Sequence, residues 1–272
     1  MTAIKSFAQL ERTGWEQVAH RYDEVWASLT KQFIPPLLKA AAMKSGMSVL
    51  DVACGPGYVA AEVKRLGATA TGIDFSFEMV RQAQAMNPGI KFFEGDAQRL
   101  PFPAESFERV LMNFGLLHLP SPEEALAEAC RVLRNKGRLA FTLWAKPEEN
   151  PGAKIMEDAI EAHGDKAVKL PPGPPYFVYA NSEECKKILR RVGFEESSVT
   201  FDTRTVFWRV PTAGFLFEAE LNAGVRTAAL LHRHSPERLA AIRATSEKNI
   251  QQYKNQNGYS IPMAAYVVAA SR

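Results

Sequence analysis

Apolar and polar positions along this chain alternate between two rhythms. Val49, Leu50 and Val52 form a short apolar run that stops at Gly55, as a buried strand does, and Val59, Val63 and Leu66 then recur at helical spacing until Gly67. The same pair of patterns repeats. Ala70 to Phe75 reads as a second strand, and Ser76 to Met86 as a helix with Met79, Val80, Ala83 and Met86 inward, stopped by Asn87-Pro88-Gly89. Ile90 to Gly95 is a third strand and Phe107 to Phe114 a fourth. Ser121-Pro122-Glu123-Glu124 reads as a capping box opening a helix whose Leu126, Ala129, Cys130 and Leu133 share a face, with Gly137 closing it. Arg138 to Ala145 is the fifth strand. Strands and helices alternating at this spacing predict right-handed crossovers and an α/β fold: a doubly wound, Rossmann-like, mainly parallel sheet with helices on both faces.

The flanks carry other patterns. Trp15, Val18, Ala19, Tyr22, Val25, Trp26 and Leu29 keep one helical face, Pro35 and Pro36 interrupt it, and a short helix through Leu37 and Ala41 leads to Gly46. Residues 1–45 are therefore expected to be an N-terminal helical cap on a 46–146 core within one domain, 1–272. Residues 147–180 and 211–258, the latter a helical insertion, are expected to be variable acceptor-pocket or lid segments. Residues 181–210 and 259–272 return to the sheet: Asn181 to Val192 as a helix, Val199 to Phe207 as a long alternating strand, and Pro262 to Ala270 as an antiparallel last strand.

Composition narrows the setting. With 272 residues, 46% of them hydrophobic, the chain can bury a full core, and a net charge of +3 gives no case for nucleic acid or an anionic membrane surface. The basic cluster Lys186, Lys187, Arg190 and Arg191 lies opposite Cys185, Ile188 and Leu189 and reads as a solvated face. Three dispersed cysteines argue against a disulfide framework, and neither a signal h-region nor an apolar run of membrane-spanning length is present. These features point to a cytoplasmic protein without a membrane partner; a homo-oligomer is compatible with them.

The candidate chemistry lies at the carboxyl ends of the predicted strands, where open α/β sheets bind ligands. Asp51, Asp74, Asp96 and Asn113 stand there in strand order around Gly55-Pro56-Gly57. Each alone is an ordinary turn residue; four around a Gly-x-Gly turn point to a nucleoside-containing cofactor, with Asp74 placed for a ribose diol. Gly55 to Ala60 also satisfies the dinucleotide pattern G-x-G-x-x-G/A, so an NAD(P)-dependent oxidoreductase remains an alternative, although no Tyr-x-x-x-Lys pair accompanies it.

Asp51 four residues before the first glycine and Gly95-Asp96-Ala97 after the third strand carry a resemblance. Over roughly residues 12 to 145 the chain resembles the class I S-adenosylmethionine-dependent methyltransferases, especially the small-molecule branch with the ubiquinone and menaquinone biosynthesis enzymes. The resemblance implies S-adenosyl-L-methionine as cofactor and S-adenosyl-L-homocysteine as product. It implies that Asp51, Ala53, Gly55 and Gly57 approach the methionine part, Asp74 holds the ribose, Phe75 and Met79 flank the adenine, Asp96 and Ala97 meet its amino edge, and Asn113 and Phe114 lie under the sulfonium. Glu128, Arg131-Val132-Leu133 and Lys136-Gly137 are similar to the family's Glu-x-x-Arg-Val-Leu signature, with Lys136 replacing a glycine at what reads as a helix end. Tyr58 departs from the family's small residue. Trp15, Tyr22 and Asp23 resemble the segment that folds over the cofactor, and Tyr22 is equally readable as a core tyrosine.

Methyl transfer from a sulfonium needs proximity and alignment more than covalent help, but a proton must leave the acceptor. His118, after the fourth strand, is the catalytic candidate; His163 and His232 are weaker ones. No metal set accompanies His232 and His234, so metal dependence is not expected. Trp15, Tyr176, Phe177, Trp208 and Phe215 are candidates for an apolar acceptor pocket, and Arg226 and Arg233 for an acidic group on the acceptor. The expected function is methyl transfer to a small, partly apolar acceptor at oxygen, nitrogen or carbon; a catalytically inactive, cofactor-binding regulatory protein stays open beside it.

Overall fold

The computed structural model describes residues 6–272, so the first five residues of the expected cap lie outside the described residues. In chain order the helices are α1 (Phe7–Val18), α2 (Tyr22–Val25), α3 (Ala27–Thr30) and α4 (Ile34–Ala40), then β1 (Ser48–Val52), α5 (Tyr58–Arg65), β2 (Thr69–Asp74), α6 (Phe77–Met86), β3 (Lys91–Glu94) and β4 (Phe107–Asn113). They are followed by α7 (Pro122–Val132), β5 (Leu133–Trp144), α8 (Pro151–His163), α9 (Ser182–Arg191), β6 (Thr200–Val210), α10 (Phe215–Ala223), α11 (Arg226–Leu231), α12 (Pro236–Asn249), β7 (Lys254–Asn255) and β8 (Gly258–Ser271).

The sheet order is β3-β2-β1-β4-β5-β8-β6, with β7 folded onto β8. β1 pairs parallel with β2 and β4, β2 with β3, and β4 with β5. The order reverses at β1, which defines the switch point where a doubly wound sheet binds its ligand. β8 runs against β5: the Arg272 amide donates to the Gly137 carbonyl (3.0 Å) and the Ala145 amide to that of Ala264 (3.1 Å), so one strand descends as the other rises. The antiparallel last strand is as expected, though it begins four residues before Pro262.

The chain divides into two compact units. Residues 30–144, 174–204 and 266–272 make one, and residues up to Leu29 with 145–173 and 205–265 make the other. The expected cap is thus divided, Thr30 onward belonging to the unit that holds β1 to β5. In that unit, Leu37, Leu38 and Ala41 of the α4 segment pack with Val49, Ala60, Val63, Ala83 and Leu111 in one buried cluster. The prolines do not interrupt a helix: Pro35 and Pro36 sit in the first turn of α4, where their missing N–H groups cost nothing. Its C-terminal carbonyls are taken by Arg109, Nε to Ala41 (2.6 Å), and Arg138, Nε to Ala40 (2.8 Å).

Several local expectations change. Leu66 and Met86 are exposed, because each falls at a helix end beyond the last turn that faces the sheet. The capping box does not form: the Ser121 side chain makes no cap bond, and its backbone amide donates instead to Gln98 Oε1 (2.6 Å). Leu133 starts β5 rather than ending α7, so Lys136 lies in a strand, at a left-handed φ of 63° that suits glycine. Phe207 is 58% exposed, while Trp208 on the opposite side of the strand is buried.

The second unit has its own core. Trp26 stacks on Trp208 (5.3 Å between rings); Trp26 Nε1 donates to the Ala223 carbonyl (2.8 Å) and Trp208 Nε1 to Ser28 Oγ (3.1 Å). Glu11 is 1% exposed and pairs with Arg226 (2.6 Å), whose guanidinium lies over the Phe7 ring.

Candidate active site

The site is built on the turn after β1. Ala53 (φ 53°), Gly55 (φ 51°) and Gly57 (φ 84°) are all left-handed, so the chain coils tightly from Val52 into α5. A Cβ on Gly57 would stand 2.8 Å from Phe92 Cζ, whereas one on Gly55 would meet nothing nearer than Met79 Sδ at 4.0 Å. Gly57 is therefore glycine for packing and Gly55 for an open approach. Asn87 holds the turn from beneath, donating Nδ2 to the Pro56 carbonyl (3.2 Å).

Two buried carboxylates grip this turn. Asp74, at the end of β2, accepts the Gly55 amide on Oδ2 (2.8 Å) and the Ser76 amide on Oδ1 (2.9 Å). Asp51, in β1 and 1% exposed, accepts the Ala60 amide on Oδ2 (3.0 Å) and so caps the first turn of α5. Its Oδ1 is buried without a hydrogen-bond partner. Burial, reinforced by the charge of Asp74 and opposed by the Ala60 amide, pushes the Asp51 carboxyl up to about 8.

The other strand ends complete the frame. The Gly95 amide donates to the Asp74 carbonyl (2.9 Å), which brings the residues after β3 alongside β2. Asp96 is exposed and accepts the Gln98 amide (2.8 Å), while Ala97 is buried. Glu128 and Arg131 hold the next loop: Glu128 accepts the Leu100 amide (2.8 Å), and Arg131 donates to the carbonyls of Leu100 (3.0 Å) and Phe102 (2.8 Å). After β4, Asn113 accepts from Thr142 Oγ1 (2.8 Å) and donates to the Thr30 carbonyl (3.2 Å). Phe114, at φ 61°, stacks on Trp144 (4.0 Å) and meets Phe33 edge-on. The next residue, Gly115, leaves no room for a side chain, since a Cβ there would lie 2.4 Å from that of Ala53. Phe75 is half-buried and Met79 buried; His118 ends the short helical turn Leu116–His118 and is half-buried.

Asp51, Ala53, Gly55, Gly57, Asp74, Phe75, Met79, Asp96, Ala97, Asn113, Phe114 and His118 thus belong to one unit. Tyr176 and Phe177 belong to the same unit and pack edge to face on each other (4.9 Å). Trp15, Tyr22, Trp208 and Phe215 belong to the other, where Trp15 and Tyr22 lie 6.0 Å apart and Trp208 meets Phe215 edge-on (5.6 Å). Trp208, 1% exposed with its N–H satisfied, is core rather than pocket lining. Arg226 is committed to Glu11, and the exposed Arg233 donates to the Lys169 carbonyl. His234 has both ring nitrogens engaged, by the Asp165 amide and the Leu230 carbonyl, and among the described residues no three metal-binding side chains converge.

Reading the chain as a string missed Lys31, whose ammonium lies 4.5 Å from the Tyr58 ring centroid beside the glycine turn, and the bracing roles of Asn87 and Thr142. Asn87 had a signal, since it follows a helix before Pro88-Gly89; Lys31 and Thr142 are placed by tertiary packing alone.

Comparison with known proteins agrees with this geometry. A family profile described as "Methyltransferase domain" matches residues 50–141. A demethylmenaquinone methyltransferase of Renibacterium salmoninarum is 33% identical over 170 residues, covering 61% of this chain and 72% of that protein. Among solved structures, a SAM-dependent methyltransferase of Thermotoga maritima has a TM-score of 0.55 at 18% identity, covering 95% of this chain and 98% of that one. Haemonchus contortus phospholethanolamine N-methyltransferase 2, a complex with S-adenosylhomocysteine, has a TM-score of 0.57 at 17% identity, covering 98% of this chain and 60% of that one. The chain belongs to the class I S-adenosylmethionine-dependent methyltransferases.

Proposed function

We propose that this methyltransferase acts on a small, partly apolar organic acceptor, with the cofactor held at the turn after β1. The observation that carries the cofactor site is the Asp51 carboxylate. One of its oxygens already fills the helix N-terminus on which a dinucleotide's pyrophosphate would dock, and the other is buried and unpaired. With Asp51 Oδ2 engaged by the Ala60 amide, the helix N-terminus is not open to an anionic bridge, which counts against the NAD(P) reading. A ligand that brings a cation favours the ionised form of Asp51. Bound there, S-adenosylmethionine supplies an activated methyl group on a sulfonium.

The chain's own residues then have distinct work. Asp51 Oδ1 accepts from the amino end of the ligand, and Lys31, held at the Tyr58 ring, faces its carboxylate. Asp74 keeps its grip on the Gly55 amide while its remaining lone pairs accept from the ribose hydroxyls. Gly55 leaves the approach open; Phe75 and Met79 flank the base, and Ala97 with Asp96 meets its edge. Asn113, fixed by Thr142, and Phe114 floor the transfer position. His118 is the proton acceptor, and Tyr176 and Phe177, which belong to the same unit, contact the acceptor. Demethylmenaquinone, the substrate in the Renibacterium relative's name, makes a quinol-like acceptor the first class to assay. Three free, buried cysteines suit a reducing cytoplasm.

The test is calorimetric titration with S-adenosylhomocysteine, run beside NAD. Binding of the first alone is expected, with acceptor turnover afterwards falling on the order of a hundredfold in His118→Ala. Binding of NAD alone would overturn the reading. Binding of S-adenosylhomocysteine with no release of product from any quinol, phenol or amine acceptor would favour a regulatory protein.

A further inference from the structure

The other end of the sheet from β3 is formed by β6, whose one neighbour in the sheet order is β8. Edge strands of soluble proteins are normally short, bulged, interrupted by proline or set with charges, because an open ladder invites another chain. β6 is eleven residues long and contains neither proline nor glycine. It is rich in strand-forming residues: Thr200, Phe201, Thr203, Thr205, Val206, Phe207 and Trp208. In the middle of it, Asp202, Thr203, Arg204 and Thr205 are all exposed, so no helix covers either face of this stretch. Phe207 beyond them is 58% exposed.

The charges on this edge specify what fits it. Asp202 and Arg204 lie on one face, 3.7 Å apart and about half exposed, a spacing at which a pair contributes little within one chain. In an antiparallel pair of identical strands, a residue faces its own copy at the two-fold axis and the others pair symmetrically about it. Centring the axis on Asp202 or Arg204 sets like charges against each other, and centring it on Thr205 sets both charges against apolar residues. Centring it on Thr203 sets Asp202 opposite Arg204 of the second copy, twice by symmetry. The same register sets Phe201 against Thr205 and the exposed Phe207 against Val199, aromatic and β-branched partners on the other face.

We propose that β6 pairs with β6 of a second copy of this chain, antiparallel and centred on Thr203, joining two sheets into one across a homodimer. The self-complementary Asp202 and Arg204 select this partner and register over any other strand.

Light scattering and sedimentation over a micromolar concentration series, on the whole chain, test it. The wild type is expected to be a dimer. Arg204→Asp sets Asp202 against a new carboxylate on both sides of the axis, and Asp202→Arg sets arginine against arginine; each is expected to weaken dimerisation tenfold or more. The double variant Asp202→Arg/Arg204→Asp restores the opposite charges and is expected to restore the dimer. Both sites are at exposed positions, and thermal melts of the monomeric variants are expected to match the wild type. The amides of residues 201–205 that face away from β8 are expected to gain hydrogen-exchange protection as concentration rises. A monomer throughout the series overturns the proposal, as does a dimer insensitive to the single reversals or a double variant that stays monomeric. Protection of 201–205 by a different protein, with the chain itself monomeric, would overturn the second copy as occupant.

Discussion

The turn after β1 and the core of the second unit both bury carboxylates, and they use them in opposite ways. Glu11 is closed: Arg226 meets it at 2.6 Å and Phe7 stacks on the guanidinium. Asp51 is open: one oxygen caps α5 and the other has no hydrogen-bond partner. A buried charge with its partner in place is a piece of structure. A buried carboxylate left half-satisfied raises its own pKa and destabilises its surroundings, which a fold tolerates where a ligand completes it. The two sites should therefore fail differently when altered, one in stability and the other in binding.

The largest effect is expected at the closed site. Glu11→Ala strands Arg226 in a mostly buried position and should cost about 3 kcal/mol of unfolding free energy, measured by urea denaturation. Glu11→Leu/Arg226→Met, which removes both charges, should recover most of that loss. At the open site, Asp74→Ala frees the Gly55 and Ser76 amides and should weaken S-adenosylhomocysteine binding on the order of a hundredfold, with a smaller loss of stability. Equal losses of stability at the two sites would erase the distinction.

Asp51 sharpens it through pH. Because its folded pKa is raised to about 8, the native state holds a proton that the unfolded chain has released above the ordinary carboxylate range. Stability without ligand should then fall as pH rises from about 4 to about 8, the sign expected when the folded state binds more protons. Cationic ligands favour the ionised form, so affinity should rise over the upper part of that window with proton release. Calorimetry in buffers of different ionisation enthalpy measures this, and Asp51→Asn should flatten the pH profile. The smallest effect is at Lys136, where a left-handed strand residue costs roughly 1 kcal/mol. Lys136→Gly should raise stability by less than about 1 kcal/mol and leave cofactor binding unchanged.

Residues whose role depends on their immediate neighbours were legible as a string. Gly55 and Gly57 between an apolar run and a helical one announce the turn, because only a local conformation is at stake. The order of strand, carboxylate and helix through Asp74 and Asn113 followed from periodicity, and so did the parallel sheet. The parts that depend on distant segments were not. Trp208 and Phe207 alternate on β6 without any sign of which is buried, since that depends on whether Trp26 or solvent lies opposite. Arg226 reads as a surface cation until Glu11, more than two hundred residues earlier, is brought against it. Lys31 has no motif, and Lys136 looked like a helix end because backbone φ is set by how β5 meets its neighbours. Sequence alone determined the elements, their order and the chemical identity of the strand-end residues, for these depend on local propensity and hydrophobic period. Only the tertiary structure decided which charges are spent on the fold and which are left open, because pairing and desolvation are properties of residues far apart in the chain.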